Sequence, residues 1–302
     1  MLTKGSGVKS TQAFRQITKL QFPLISVLQL GRLDYALALQ LQNKLVDLHK
    51  EGRIGDVLLL LEHSPVITLG RNAKQQNVLA SAEQLEARGV QVFESDRGGD
   101  VTFHGPGQVV GYPIFDLRGF EAEDGRRKTL GVIEYVRRLE EVLIRTCGDF
   151  GIPTERVSGL TGVWTEDENG AAEIATEKTA HPAPGQNRNS QGKIAAIGIH
   201  ISRGVTSHGF ALNVTTDLSY FDLIVPCGIT NKPVTSMTKE LGREPSIEDV
   251  QHAISRNFGK VFHSQMLWLP SLEALFGGTV GVPLKEPDEL RKMRGDEETF
   301  YA

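Results

Sequence analysis

Cysteine is scarce in this 302-residue chain: only Cys147 and Cys227 occur, eighty positions apart. Two such residues cannot make a disulfide framework, so a reducing compartment is expected. Long apolar runs are missing too. None approaches the roughly 18 to 20 residues that span a bilayer, and no signal-peptide core precedes the first periodic segment, so no membrane association is expected and the cytoplasm is the expected location. Charge of one sign is also lacking. Thirty-three Lys and Arg against 37 Asp and Glu leave a net charge of -4, without the basic footprint or aromatic-basic interleaving of a nucleic-acid binder. The eight histidines are scattered and no paired Cys/His spacing suits a metal, so neither a metal nor another cofactor is expected. Repeats and heptad seams are absent, and the chain is taken as monomeric.

What is present reads as interleaved helices and strands. Asp34 can cap a helix with Leu37, Leu41, Leu45 and Leu48 on one face, closed by Gly52. Val57 to Leu61 and Val66 to Leu69 read as strands broken by His63-Ser64-Pro65. Ser81 to Arg88 predicts a short helix; Val90 to Phe93, Val101 to Phe103 and Val109 to Asp116 predict strands. Thr129 to Thr146 predicts a long amphipathic helix ending near Gly148, Gly162 to Thr165, Lys193 to Ser202 and Phe210 to Val214 further strands, and Ser246 with Asp249 the start of a helix to about Phe258. The early strands follow one another through short turns. The expected class is therefore α/β (α+β), a mixed sheet flanked by helices rather than a purely parallel one. Residues 1–23 are expected to be a flexible extension, 24–265 the main domain with a polar insertion at about 166–191, and 266–302 a peripheral segment. No acid precedes Asp34, so an organellar transit segment, and with it the mitochondrial matrix, is the alternative for the N-terminus.

Chemistry-bearing residues concentrate in three places. The stretch Arg97 to Gln108 carries an arginine, a histidine and four glycines within twelve residues; glycines let backbone approach a ligand, while Arg97 and His104 supply polar contacts. In Lys193 to Ile201, strand alternation puts Ile197, Ile199 and Ile201 on one face and leaves Ala196 and Gly198 on the other, where small side chains make room for an alkyl chain. Pro226-Cys227-Gly228 sets a cysteine in a turn after an apolar run. An unperturbed thiol is only a few per cent thiolate at neutral pH, so a nucleophilic Cys227 needs a basic or cationic neighbour; Lys193 is one candidate, His104 and His208 are others. Cys147, His63 and His200 are read as structural. Gly192-Lys193 resembles the end of a phosphate-binding loop, but Asn187 and Ile194 stand where that loop requires Gly and Ser or Thr.

Gly70-Arg71, Arg97-Gly98-Gly99 through Gln108, Lys193-Ile194-Ala195, His208-Gly209-Phe210-Ala211-Leu212-Asn213-Val214 and Pro226-Cys227-Gly228-Ile229, in this order, closely resemble the lipoyl(octanoyl) transferase family of lipoate biosynthesis, over about Leu24 to Phe262. The resemblance implies the fold of lipoate and biotin protein ligases. It implies that Cys227 carries an acyl-thioester activated by Lys193, and that Arg97, Gly98, Gly99, Asp100, Val101, Thr102, Phe103 and His104, with Ala196, Ile197 and Gly198 and with Gly209, Phe210 and Ala211, line an octanoyl pocket. The implied donor is octanoyl-acyl carrier protein. The implied acceptors are lipoyl domains of 2-oxoacid dehydrogenase E2 subunits and the glycine cleavage H protein. Thioester exchange followed by amide formation runs without ATP. Competing readings are an ATP-dependent lipoate-protein ligase, an amidotransferase moving octanoate between lipoyl domains, and a non-catalytic acyl-binding protein. Arg126-Arg127-Lys128 is a surface run that could attract an acidic carrier protein.

Overall fold

The computed structural model describes residues 22–122, 129–166, 191–226 and 232–277. Cys227, the Arg126-Arg127-Lys128 run and most of the segments expected as N-terminal extension, polar insertion and C-terminal extension lie outside the described residues.

The described chain begins with β1 (Leu24–Leu33), α1 (Tyr35–Lys50), β2 (Asp56–His63) and β3 (Val66–Leu69). Asp34 caps α1, its carboxylate accepting the Ala36 N–H. Next come α2 (Ala82–Ala87), held by a capping box between Ser81 and Gln84, then β4 (Gln91–Glu94), β5 (Val101–His104) and β6 (Gln108–Ile114). The long helix α3 spans Val132–Asp149. It continues through Gly148 because the left-handed residue that ends it is Gly151, with φ 81°. β7 (Thr154–Val157), β8 (Leu160–Thr165), β9 (Lys193–Ser202) and β10 (Val205–Asn213) follow, then α4 (Met237–Leu241), α5 (Ile247–Val261), β11 (Gln265–Trp268) and α6 (Ala274–Gly277).

Eight strands make one mixed sheet in the order β11-β1-β2-β6-β10-β9-β8-β7, and β4-β3-β5 form a second, small one. The edge strand β11 pairs in parallel with β1, and Leu272 and Phe276 beyond it are buried, so the ordered core continues past residue 265. β9 and β10 form a hairpin in which Arg203 and Gly204 both have positive φ, as a two-residue type I′ turn requires.

The large sheet separates two cores. On one face, α3 and α5 press Leu139, Leu143, Ile254 and Phe258 onto Phe115 and Phe210, with Ile197, Ile199 and Ile201 packed against this cluster. On the other, Leu41, Leu45 and Leu48 of α1 pack on Leu59, Leu61, Val110 and Ala211. From Ala196 to Ile201, alternation in β9 therefore divides the strand as expected, the isoleucines toward α3 and α5 and Ala196 and Gly198 toward the opposite face. Among the described residues no helix is long and apolar enough to cross a membrane.

Candidate active site

Small residues on the α1 side leave the sheet thin where β9, β10 and β6 adjoin. Ala196 faces Ala211 and Gly198 faces Gly209 across the β9–β10 ladder, and Val110 stands beside Ala211. Residues directly opposite in an antiparallel pair share a face, so these make a floor without bulk. Above it lies a cavity of about 250 Å³, bordered by Arg97, Gly99, Asp100, Thr102, His104, Lys193, Ala196, Ile197, Gly198, Gly209, Phe210 and Ala211, and also by Tyr35, Tyr112, Gly159, Leu160, Thr161 and His208. That volume sits just below the roughly 300–1,000 Å³ of ligand pockets, as suits one unbranched chain.

The opposite wall is the turn from Arg97 to Asp100, docked where β8 leaves the edge of β9 open. Gly98 donates its N–H to the Ile199 carbonyl at 2.9 Å. A Cβ on Gly198 would lie 2.7 Å from the Gly98 carbonyl oxygen, and one on Gly70 would lie 2.4 Å from the Gly99 oxygen. Both glycines are required by backbone approach rather than by a turn. The Arg97 guanidinium folds back on its own loop, donating to the Thr68 hydroxyl and carbonyl and to the Gly98 and Asp100 carbonyls. Its described contacts shape the wall. Asp100 does likewise, accepting from the Val101 N–H and from Asn77 Nδ2.

Strand alternation in β5 separates the residues of the next stretch. Thr102 and His104 face the cavity, whereas Val101 and Phe103 belong to a separate small core, the Phe103 ring stacked on Tyr220 at 4.7 Å. The Phe210 ring and the Ile197 side chain are likewise packed in the α3–α5 core, and both residues also border the cavity. Gly98, Val101 and Phe103 are thus brought near the site without bordering the cavity.

His104 is the centre of a satisfied polar chain. Its Nδ1 lies 2.7 Å from Gln108 Oε1, an oxygen that can only accept, so Nδ1 carries the proton and Nε2 accepts from the Thr68 hydroxyl. Gln108 Nε2 donates to Asn213 Oδ1, Asn213 Nδ2 to the Thr235 carbonyl, and the Thr235 N–H to the Lys193 carbonyl. Burial, then the nearby His63 and Arg97 charges, push the His104 imidazole down to about 3. His63 is structural: burial lowers it to about 4, its Nδ1 donates to the Leu33 carbonyl, and its Nε2 accepts from the Tyr112 hydroxyl. His208 holds a left-handed φ of 56° and donates through Nε2 to Asp96 at 2.6 Å, with burial lowering its basicity.

These histidines fix a pH dependence. The unfolded chain protonates them near 6.5 and the fold excludes those protons, so stability is full above that pH and is lost as pH falls from 6.5 toward about 4 for His63 and about 3 for His104. Each buried histidine contributes a slope of up to about 1.4 kcal/mol per pH unit. Thermal melts are expected to be level above pH 7 and to drop through pH 6 and 5; equal midpoints at pH 7 and 5 would show both rings protonating in the fold.

Lys193 is buried and its Nζ lies 5.2 Å from the centre of the Trp164 ring, with Lys232 Nζ at 5.5 Å from the same ring. Both described flanks of Cys227 adjoin this lysine. Pro226, one position before it, lines a recess with Lys193 and Asn213. After it, the Pro233 carbonyl accepts the Lys193 N–H at 2.8 Å, and Val234 forms a bridge to Lys193. Cys147, by contrast, is sealed in the α3 core, its thiol pushed up by burial to about 12. Tyr35 and Tyr112 escaped sequence reading because each sits in an ordinary apolar run, and only the fold brings α1 and β6 to one cavity. Among the described residues no cluster of three or more His, Cys, Asp or Glu could hold a metal ion.

The lipoyl protein ligase A/B catalytic-domain model matches residues 34–259. A protein named octanoyltransferase from Koribacter versatilis is 59% identical over 274 residues, covering 91% of this chain and 98% of its own. Another octanoyltransferase, from Acidobacterium capsulatum, is 57% identical over 250 residues, covering 82% and 94%. Among solved structures, a bi-partite lipoate protein ligase from Thermoplasma acidophilum superposes with a TM-score of 0.57 at 16% identity over 84% of this chain and 89% of its own. A lipoate-protein ligase A bound with ATP superposes at 0.55 with 15% identity, over 83% and 90%. These two similarities concern the fold.

Proposed function

Because the chain belongs to the lipoyl protein ligase A/B catalytic-domain family, we infer that it is an octanoyltransferase, an acyltransferase acting in protein lipoylation. Relatives named for this activity align over nearly their whole length. Its substrates are an octanoyl donor and a lipoyl-domain acceptor. The finer reading takes octanoyl-acyl carrier protein as donor and lysines of 2-oxoacid dehydrogenase E2 lipoyl domains and of glycine cleavage H protein as acceptors, with a monomeric enzyme in the cytoplasm.

In the proposed mechanism the Cys227 thiolate attacks the donor thioester and the phosphopantetheine thiol leaves, so one thioester replaces another with little change in free energy. The acceptor lysine amine then attacks the Cys227 thioester, forming an amide and returning the cysteine. Lys193 takes the proton of the thiol in the first step and that of the attacking amine in the second. One observation carries this reading: Lys193 borders the cavity, and both described flanks of Cys227 adjoin it, Pro226 in a shared recess and Val234 through a bridge. The floor of Ala196, Gly198, Gly209 and Ala211 supplies the slot for the alkyl chain.

Intact-mass measurement after mixing the protein with octanoyl-acyl carrier protein tests it. An octanoyl adduct is expected, and it should pass to added lipoyl domain without ATP. Octanoylation of the domain only when ATP and free octanoate are supplied would reverse the reading in favour of a ligase.

A further inference from the structure

Glu140 is the only carboxylate among the described residues that is fully buried. A buried charge is costly unless it is paired and hydrogen-bonded. Its Oε2 meets Arg137 at 2.7 Å and Arg156 at 3.2 Å. Oε1 is directed elsewhere, to the main-chain N–H of Gly162 at 3.2 Å. The β7–β8 register shifts between Glu155 and Val157, which interrupts the ladder opposite this part of β8; the carboxylate on α3 supplies an acceptor there.

Gly162 has φ 125°, a conformation open to glycine. A Cβ at this position would lie 2.7 Å from Lys193 Cε and 2.6 Å from the Ala195 carbonyl oxygen. The Lys193 stem thus runs through the space that any side chain at 162 would fill. Trp164, two residues on and on the same strand face, presents its ring to Lys193 Nζ at 5.2 Å. A lysine stem has four rotatable bonds and about 2 kcal/mol of rotamer entropy, so walls on both sides are what hold its amine at one point.

We propose that Glu140 and Gly162 together position the Lys193 side chain: a buried carboxylate on the outer helix holds a glycine whose missing Cβ is the channel for the lysine stem. Neither touches substrate; both are positioning residues. The inference rests on Lys193 being the residue that activates Cys227.

The test uses the full chain and two readouts: the pH dependence of Cys227 alkylation by iodoacetamide, located by peptide mass spectrometry, and kcat with KM for octanoyl transfer. Gly162→Ala and Glu140→Leu are expected to move the alkylation profile in the same direction as Lys193→Ala. They should lower kcat about tenfold with KM for the octanoyl donor unchanged, a part of the ~10²-fold that a 1 Å misplacement can cost. Glu140→Gln keeps an acceptor oxygen for the Gly162 N–H and should retain the native profile. A folded Gly162→Ala with native profile and kcat overturns the proposal. If that variant does not fold, the Glu140 pair decides, since identical behaviour of Glu140→Gln and Glu140→Leu overturns it as well. A native profile in Lys193→Ala itself would instead remove the role of Lys193 on which the proposal rests.

Discussion

Cys227→Ala is expected to leave no octanoyl adduct on the chain, and Lys193→Ala to slow both formation and discharge of the adduct by about 10²–10⁴-fold, the usual worth of a positioned general base. The chemistry sets these sizes. Without the thiol there is nothing to hold the acyl group between donor and acceptor. In the proposed mechanism, loss of the lysine amine returns the thiol to ordinary behaviour, a few per cent thiolate at neutral pH, and deprives the incoming amine of its proton acceptor. Structure makes Lys193→Ala a clean experiment. The links between residue 193 and the segment after Cys227 are main-chain bonds, from Lys193 N–H to the Pro233 carbonyl and from Thr235 N–H to the Lys193 carbonyl, and alanine keeps both. The loss should appear equally in kcat and kcat/KM, the signature of an interaction made in the transition state. Rapid-quench measurement of adduct formation checks it. A change of less than about threefold, against the ~10²-fold minimum expected of general base catalysis, would transfer the role to another group, with His208 next in line because it borders the cavity and has a carboxylate partner.

Ala196→Leu is expected to convert the protein from an octanoyl to a short-chain transferase. Ala196 faces Ala211 on the cavity floor, and leucine there adds three carbons into space that the acyl chain would occupy. Each methylene of the substrate displaced from the cavity forfeits about 0.8 kcal/mol. Excluding three therefore costs about 2.4 kcal/mol, roughly sixtyfold in kcat/KM. Butanoyl donors should react as before and octanoyl donors should fall by that factor, read by competing the two donors in one reaction. A uniform loss for both would mean that the chain lies elsewhere than on the Ala196–Ala211 floor.

Much of this site is written locally. The cap at Asp34, the apolar stripe of α1, and the small-large alternation of Ala196 to Ile201 each follow from neighbours in sequence, and the structure places them accordingly. The strands that escaped sequence reading have local reasons to be obscure. In β1 the alternation is broken by a bulge between Gln29 and Arg32, where Gly31 has φ 64°. The start of β10 is hidden behind an Arg203-Gly204 turn that lacks the usual Asn-Gly signal. Arg97 shows a different gap: its type announces a polar contact, but only the folded loop reveals that its described partners are Thr68 and the carbonyls of its own turn.

Lys193 marks the boundary between the two kinds of information. Its residue type, its place before a small-residue strand and its companion Cys227 are sequence facts, and they determine what chemistry the chain can carry. Strict alternation from Ile201 back through Ile199 and Ile197 would turn Lys193 toward α3, into the apolar core. The β8–β9 pairing instead shifts register between Val163 and Trp164, so that Ile194 and Ala195 both enter the core and Lys193 borders the cavity with Ala196 and Gly198. A bulge is a property of two strands, since one extra residue on β9 is defined only against its partner. The residues proposed for the reaction are thus given by the sequence, while the course of the lysine side chain is decided by tertiary pairing and by the space left at Gly162.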